Sequence, residues 1–421
     1  MRPHSLWRDP DFLKLWAGQA ISQAGSWITL VGLPLTAVLV LRATPLEMGI
    51  LSGAGAAAVL MFGLFAGAWA DRLRRRPILI AADLGRAAVL GTIPLAVVFH
   101  RLTMGHLYLV AAASALLTVF FDVSYQAYLP SLVSRENILE GNSKLALTDS
   151  IAGIVGPSLT GILVQAVTAP VAILFDAASF LCSAFSVWLI RRPEPLPETR
   201  TAPNIGQEIA EGLRASWHAP VLRALLLRTG SAALCMGFGG GLYVLYAVRE
   251  LHVGAGLLGA IISVGGATYL FGALAAEWLV RRFGLGPTLI GAAVVTGIGS
   301  LLPPLARGPV WACAAILSAA QCFDIAFPIY EINELSLRQA IAAPHVLGRV
   351  NSAMHLMFRG VMPLGALAGG ALAQAIGLRG AMFTGATGVL LSALWLVASP
   401  IRHVRELPRG AEALADSARH Q

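Results

Sequence analysis

Apolar residues in this chain run on in long stretches, without the strict alternation of a strand, and short polar clusters interrupt them. Twelve stretches, near residues 12–41, 46–70, 77–100, 105–130, 143–168, 170–190, 221–248, 255–280, 285–306, 309–337, 346–374 and 378–400, are long enough to carry a helix across a hydrocarbon core of about 30 Å. A helix in lipid satisfies its own backbone polar groups, so such a stretch needs no polar face. The pattern predicts an all-α membrane protein with twelve transmembrane helices. The polar clusters are then loops, and their charges set the orientation. With the N-terminus inside, most of the 30 Lys and Arg fall on the cytoplasmic side and only Arg42, Arg101, Arg249, Arg307 and Arg379 lie outside. Both termini are therefore expected in the cytoplasm.

One loop is long. Residues 191–203 are polar and proline-rich, and 207–217 read as a short amphipathic surface helix. The expected division is an N-terminal six-helix bundle over 1–191, a cytoplasmic linker with its helix over 192–219, a C-terminal six-helix bundle over 220–402 and a cytoplasmic tail over 403–421. The halves are alike: Phe121, Asp122 and Tyr128 recur as Phe323, Asp324 and Tyr330, Asn142 and Ser143 as Asn351 and Ser352, Gly156 and Gly161 as Gly365 and Gly370. Two pseudo-symmetric bundles of the same orientation are the architecture of a rocking carrier with a site near the bilayer midplane.

Composition narrows the function classes. A chain of 421 residues that is 57% hydrophobic and 12% charged, with mean hydropathy +0.72, is too apolar for a soluble multidomain protein. The net charge of +8 sits in loops, where membrane orientation explains it and nucleic acid is not implied. The lysines are Lys14 and Lys144, and neither follows a glycine in a phosphate-binding loop, which excludes nucleotide hydrolysis by that route. Metalloprotease, hydrolase-elbow and paired-cysteine patterns are absent from the sequence, so no enzyme activity, metal or cofactor is expected. Cys182, Cys235, Cys313 and Cys322 lie in apolar runs and read as buried small hydrophobes. The first apolar run is long enough to span, and the excess of Arg over Lys points to a GC-rich bacterial gene.

Ionisable residues inside the spans are costly unless paired, hydrated or functional. They are Asp83 and Arg86 in span 3, Asp122 in span 4, Asp149 in span 5, Asp176 in span 6, Asp324, Glu331 and Glu334 in span 10, and His355 and Arg359 in span 11. At a rise of about 1.5 Å per residue, Arg86 lies roughly 14 Å and Asp122 roughly 12 to 18 Å from the cytoplasmic ends of their helices, so they can pair. By the same count Arg359 and Asp324 share a depth of roughly 18 to 21 Å, and His355 and Glu331 roughly 11 to 12 Å. Burial favours the neutral carboxyl and a neighbouring guanidinium the charged one, so these pairs can exchange protons. Permanently closed structural pairs are the open alternative. Asp149, Asp176 and Glu334 read as structural, and Tyr246 as an interface anchor.

Residues 67–77 read Gly-Ala-Trp-Ala-Asp-Arg-Leu-Arg-Arg-Arg-Pro. Gly67, Ala70, Asp71, Arg72, Arg75 and Arg76 match the G-x-L-A-D-R-x-G-R-K/R signature, and the chain resembles the major facilitator superfamily; Trp69 and Arg74 depart from the usual Leu and Gly. Gly153, Gly156, Pro157 and Gly161 in span 5 resemble the glycine-proline motif of that family's proton-coupled exporters, with Thr160 for one Gly. Generic tight packing of small residues is the other reading of that motif. Residues 12–23, 82–87 and 347–352 are similar to the branch that contains bacterial macrolide-efflux proteins and the enterobactin exporter, and the likeness runs from Asp11 to about Pro400.

The resemblance implies roles. Gly67, Asp71, Arg72 and Arg75 would latch one conformation, and Asp122, Asp324, Glu331, Arg86 and Arg359 would couple protons. Spans 1, 4, 7 and 10 line the cavity in relatives, so Gln19, Gln23, Trp27, Tyr125, Gln126, Tyr243 and Tyr330 would meet substrate. The expected protein is a secondary active exporter of an amphipathic small molecule, such as a drug, siderophore or lysolipid, working by alternating access and proton antiport. Its expected partners are that small molecule, protons and the lipid bilayer of a bacterial inner membrane, with the chain a monomer. A nutrient importer or uniporter, and a membrane sensor or scaffold, stay open; direction of flux and substrate-dependent proton movement separate them.

Overall fold

A computed structural model describes residues 6–70, 73–192, 194 and 205–406. Regular structure is helical throughout, and no strand occurs among the described residues. The chain divides into two compact units, Met1–Ala202 with Ala247–Ser263, and Pro203–Tyr246 with Val264–Gln421.

The first unit carries α1 (Pro10–Leu39), α2 (Pro45–Ala70), α3 (Arg75–Val98), α4 (Met104–Leu132), α5 (Ile138–Val167) and α6 (Ala169–Trp188). Local chemistry starts several of them. The Asp9 carboxylate accepts the Asp11 and Phe12 amides at 3.0 and 3.2 Å, and Pro10 fills the first helical position, where no N–H is needed. Thr44 and Glu47 form a reciprocal capping box before α2, with bonds of 2.7 and 3.3 Å. α1 packs on α5 and α6, α3 on α4 and α6, and α2 on α4.

The second unit holds α7 (Ile205–His218), α10 (Leu285–Leu305), α11 (Val310–Phe323), α12 (Ala326–Ile341), α13 (Pro344–His355), α14 (Val361–Ser392) and α15 (Leu394–Val397), and most of α8 (Pro220–Arg249) and α9 (Ala255–Phe283). The amphipathic helix α7 is docked rather than free on the surface: it packs on α13, where Glu211 is ion-paired with Arg349 and Gly212 meets the Arg349 backbone. α14 passes through Gly377 at φ +83°, so it comprises two spans joined by a tight turn, and the twelve predicted crossings are accounted for.

The internal repeat is plainest in the turns. Arg42 and His252 both take left-handed backbone, at φ 53° and 57°, and each is followed by the same long-reach bond, Ala43 N to Ala37 O at 3.0 Å and Val253 N to Ala247 O at 2.9 Å. His100 and Gly308 form the second such pair, at φ 53° and 104°, and Thr168 and Gly377 the third, at φ 84° and 83°.

Prolines interrupt two of the spans among the described residues. Pro328 lacks the N–H that would bond the carbonyl of Asp324, and its ring crowds that carbonyl, so α11 ends at Phe323 and α12 restarts at Ala326. Pro363 stands four residues beyond Arg359 in the same way, and there the chain makes a π turn over Leu356–Gly360. Of the four cysteines, Cys313 is buried as expected, but Cys182 and Cys322 lie on exposed helix faces and Cys235 is half-buried. An apolar run does not by itself imply a protein interior, because a spanning helix is apolar on its outer faces too.

Candidate functional site

The first unit buries an ionic centre among α1, α3, α4 and α6. Asp83 and Arg86, one turn apart on α3, form an ion pair with Asp83 0% and Arg86 4% exposed. The guanidinium lies between two phenyl rings, 4.4 Å from the centroid of Phe121 on α4 and 4.0 Å from that of Phe180 on α6. Aromatic faces stabilise a desolvated cation that a single carboxylate would hold poorly. Asp176 on α6, also 0% exposed, accepts the hydroxyl of Thr29 from α1 and meets Ser179. The ion partner of Arg86 is thus Asp83 on its own helix, with Asp122 and Asp176 as further carboxylates within electrostatic reach. The i, i+3 spacing of Asp83 and Arg86 already favoured this pairing.

Along α1, Gln19 is buried, while Gln23 Nε2 donates to Asp149 of α5 at 2.9 Å. Trp27 lies across Gly153 and Gly156 of α5, so a residue expected to meet substrate and the glycines of span 5 form one contact. Gly161 faces the backbone of Ala255 and Gly256, and the Pro157 carbonyl faces Gly259, at the start of α9. Ser158 and Ser263 close that contact with a 2.7 Å hydroxyl bond. Tyr125 stacks on Phe121 at 5.8 Å, and Gln126 is exposed.

In the second unit Asp324 stands at the break between α11 and α12, where Gln321 donates to the Tyr243 hydroxyl at 3.4 Å and Thr268 donates to the Gln321 carbonyl at 2.8 Å. Gly265 leaves room for this cluster, because a Cβ there would lie 3.2 Å from Asp324 Oδ2 and closer still to Gln321 Oε1. Among the described residues no ion pair joins Asp324 to Arg359, which is carried on the π turn. Glu331 accepts the Tyr269 hydroxyl at 3.0 Å and has His355 within electrostatic reach. Next to Glu331, Arg228 of α8 lies 3.6 Å over the ring of Tyr330, and one turn further on Glu334 pairs with Arg338 at 3.7 Å, all four buried. Tyr246 is fully buried, and receives Arg379 Nε at 3.2 Å instead of anchoring the chain at an interface.

Of the loop between α2 and α3, Gly67 lies in the last turns of α2, and Asp71 and Arg72 fall outside the described residues. Arg75 opens α3, and Glu194 from the linker caps it: the carboxylate takes the Arg75 amide at 2.6 Å and the Arg76 amide at 3.2 Å.

A family model described as Major Facilitator Superfamily matches residues 15–362. The chain belongs to the Major Facilitator Superfamily. Among its relatives are Multidrug efflux pump Tap of Mycolicibacterium fortuitum, 28% identical with 95% of this chain and 97% of that protein covered, and Macrolide efflux protein A of Streptococcus pyogenes, 24% identical with 97% and 99% covered. The crystal structure of nucleoside transporter NupG has the same fold, with a TM-score of 0.76 at 12% identity over 92% of this chain and 98% of that one. The protein is a multi-pass membrane protein with the superfamily's twelve-helix fold.

Within this superfamily fold, three groups carry no signal in the sequence. Arg228 and Thr29 showed no motif, and Thr29 is an ordinary hydroxyl until α6 is packed beside it. Glu194 sat in a proline-rich linker that reads as solvated. Asp149 reads as structural, and its partner is Gln23 in mid-span, where a face of polar residues at helical spacing is the available signal.

Proposed function

We propose that this protein is a secondary exporter of the bacterial cytoplasmic membrane that exchanges protons for an amphipathic small molecule, drug-like in class, by alternating access. The observation that carries the reading is end-to-end likeness to two efflux proteins, together with a span 5 whose glycines are used for close contact. A small residue at 156 and a proline at 157 let α5 approach α1 and α9 and still bend, which suits an element that repacks between states. Both termini lie in the cytoplasm, by the distribution of Arg and Lys, and the chain works as a monomer. Asp122, Asp324, Glu331, Arg86 and Arg359 carry the proton coupling, and Gln19, Gln23, Tyr125, Gln126 and Tyr243 supply substrate contacts.

The test is a susceptibility panel of macrolides, cationic dyes and siderophores with the gene deleted and restored, followed by transport into inverted membrane vesicles. Restoration should raise tolerance to at least one amphipathic compound, and collapse of the pH gradient should abolish its accumulation. Accumulation that ignores the gradient would rule out proton coupling, and uptake in intact cells would make the protein an importer.

A further inference from the structure

We propose that Arg42 and Arg249 form a binding site for a phosphate oxyanion that carries apolar chains, the headgroup of a phospholipid. An open pocket of about 500 Å³ lies where α1 and α8 end, lined by Val38, Leu39, Arg42, Val248 and Arg249, all within the first unit. Pockets that take small ligands run from roughly 300 to 1,000 Å³, so this one is large enough for a headgroup. The site is independent of the export reading, because nothing in it depends on what the protein moves.

Charge singles the pocket out. The loops on the membrane face where α1 ends hold only Arg42, Arg101, Arg249, Arg307 and Arg379 of the chain's 30 Lys and Arg, since cations concentrate on the opposite face. Two of these five line one pocket. Arg379 is bonded to the Tyr246 hydroxyl and the Ala306 carbonyl, whereas the side chains of Arg42 and Arg249 have no ion pair or hydrogen bond among the described residues. Of the neighbouring acids, Glu47 is held in the capping box of α2, bonded to the Thr44 amide and hydroxyl at 2.7 and 2.9 Å, and Glu250 is exposed. The backbone adds a second observation: Arg42 stands at φ 53°, where the turn alone favours glycine, so the guanidinium is what this residue contributes. A guanidinium stays charged and presents paired N–H groups that match phosphate oxygens. Two cations lining one pocket repel each other, and an oxyanion between them replaces repulsion with attraction. Val38, Leu39 and Val248 give the same pocket an aliphatic wall, and Leu39 is 49% exposed. The ligand that satisfies both parts is anionic at one end and apolar at the other. At the end of a spanning helix a phospholipid meets that description, while free phosphate would satisfy the guanidiniums alone.

Native mass spectrometry of the full chain in detergent, titrated with phosphatidylglycerol, tests this. The wild type should hold the lipid about tenfold more tightly than the double variant Arg42→Gln with Arg249→Gln. Arg101→Gln with Arg307→Gln removes the same charge from the same face outside the pocket, and should bind as the wild type does. Arg42→Gly suits the left-handed backbone and keeps the fold should the double variant fail to, and it too should bind more weakly. Glycerol phosphate, which has the anion without the chains, should compete poorly for the site. Displacement of phosphatidylglycerol by glycerol phosphate at equal concentration would overturn the assignment to lipid and leave a site for free phosphates. An equal loss in the Arg101 and Arg307 variant, or undiminished binding in either pocket variant, would overturn the site itself.

Discussion

Trp27 of α1 covers Gly156 of α5 so closely that a methyl group at 156 would lie 2.6 Å from the indole Cγ. No real carbon occupies such a place, so the pair fixes how near the two helices stand. Gly156→Ala should therefore destabilise the protein by about 1 to 3 kcal/mol, the range for overpacking a filled interface. Trp27→Ala in the same chain should return part of that loss. Thermal unfolding of the single and double variants in detergent measures the coupling. Additive effects would mean that the indole moves aside freely.

The break at Asp324 is a consequence of Pro328, and restoring the missing N–H should heal it. Pro328→Ala is expected to join α11 and α12 into one helix, slow hydrogen exchange across residues 324–328, and raise stability modestly. Transport should fall several-fold, because the acid would lose its place at a helix interruption. Unchanged exchange in that segment would show that the packing of α11 and α12, and not the proline, makes the break.

How much of this was readable beforehand depends on the kind of signal. Long apolar runs make twelve spans readable, because lipid allows few alternatives to a helix. Depth along a span was readable too, and Glu331 and His355 do lie within electrostatic reach. Rotation about the helix axis was not. Arg86 and Asp122 share a depth, yet the ion pair goes to Asp83, and the phenyl rings that flank the guanidinium come from two different helices. Azimuth depends on which small residues let helices close up, and Gly25 or Gly156 reveals that only when its neighbour is known.

Thr168 joins α5 to α6 at φ 84° and ψ 155°, the conformation that Gly377 adopts between the two spans of α14. That region is essentially reserved for glycine, and a β-branched residue held there stores roughly 1 to 3 kcal/mol. Thr168→Gly should release part of it, offset by roughly 0.5 to 1 kcal/mol of added chain entropy. A net gain in melting temperature is expected, and Gly377→Thr should lower it. If Thr168→Gly melts lower than the wild type, the threonine side chain holds the turn by contacts that outweigh the backbone cost.

Glu194 offers the sharpest separation of charge from hydrogen bonding. Its side chain is 5% exposed and lies against the first amides of α3, whose N-cap residue, Arg74, supplies no side-chain bond. The amide contacts of 2.6 and 3.2 Å are much shorter than the 3.9 Å separation from the Arg75 guanidinium, so the helix end is the principal partner. Glu194→Gln keeps an acceptor and loses the charge that faces the helix dipole, an expected cost of about 0.3 to 1 kcal/mol. Glu194→Ala loses the cap as well, about 1 kcal/mol more. Arg75→Met should cost less than Glu194→Ala, and added salt should change the ranking little, because the carboxylate is shielded from solvent. Arg76, meanwhile, ties the same turn to the carbonyls of Val187 and Trp188 at 3.2 and 2.6 Å, so loss of the cap should loosen α3 without detaching it from α6. Melting curves of the three variants at low and high salt test the order; an Arg75→Met loss equal to that of Glu194→Ala would make the ion pair, not the cap, the stabilising contact.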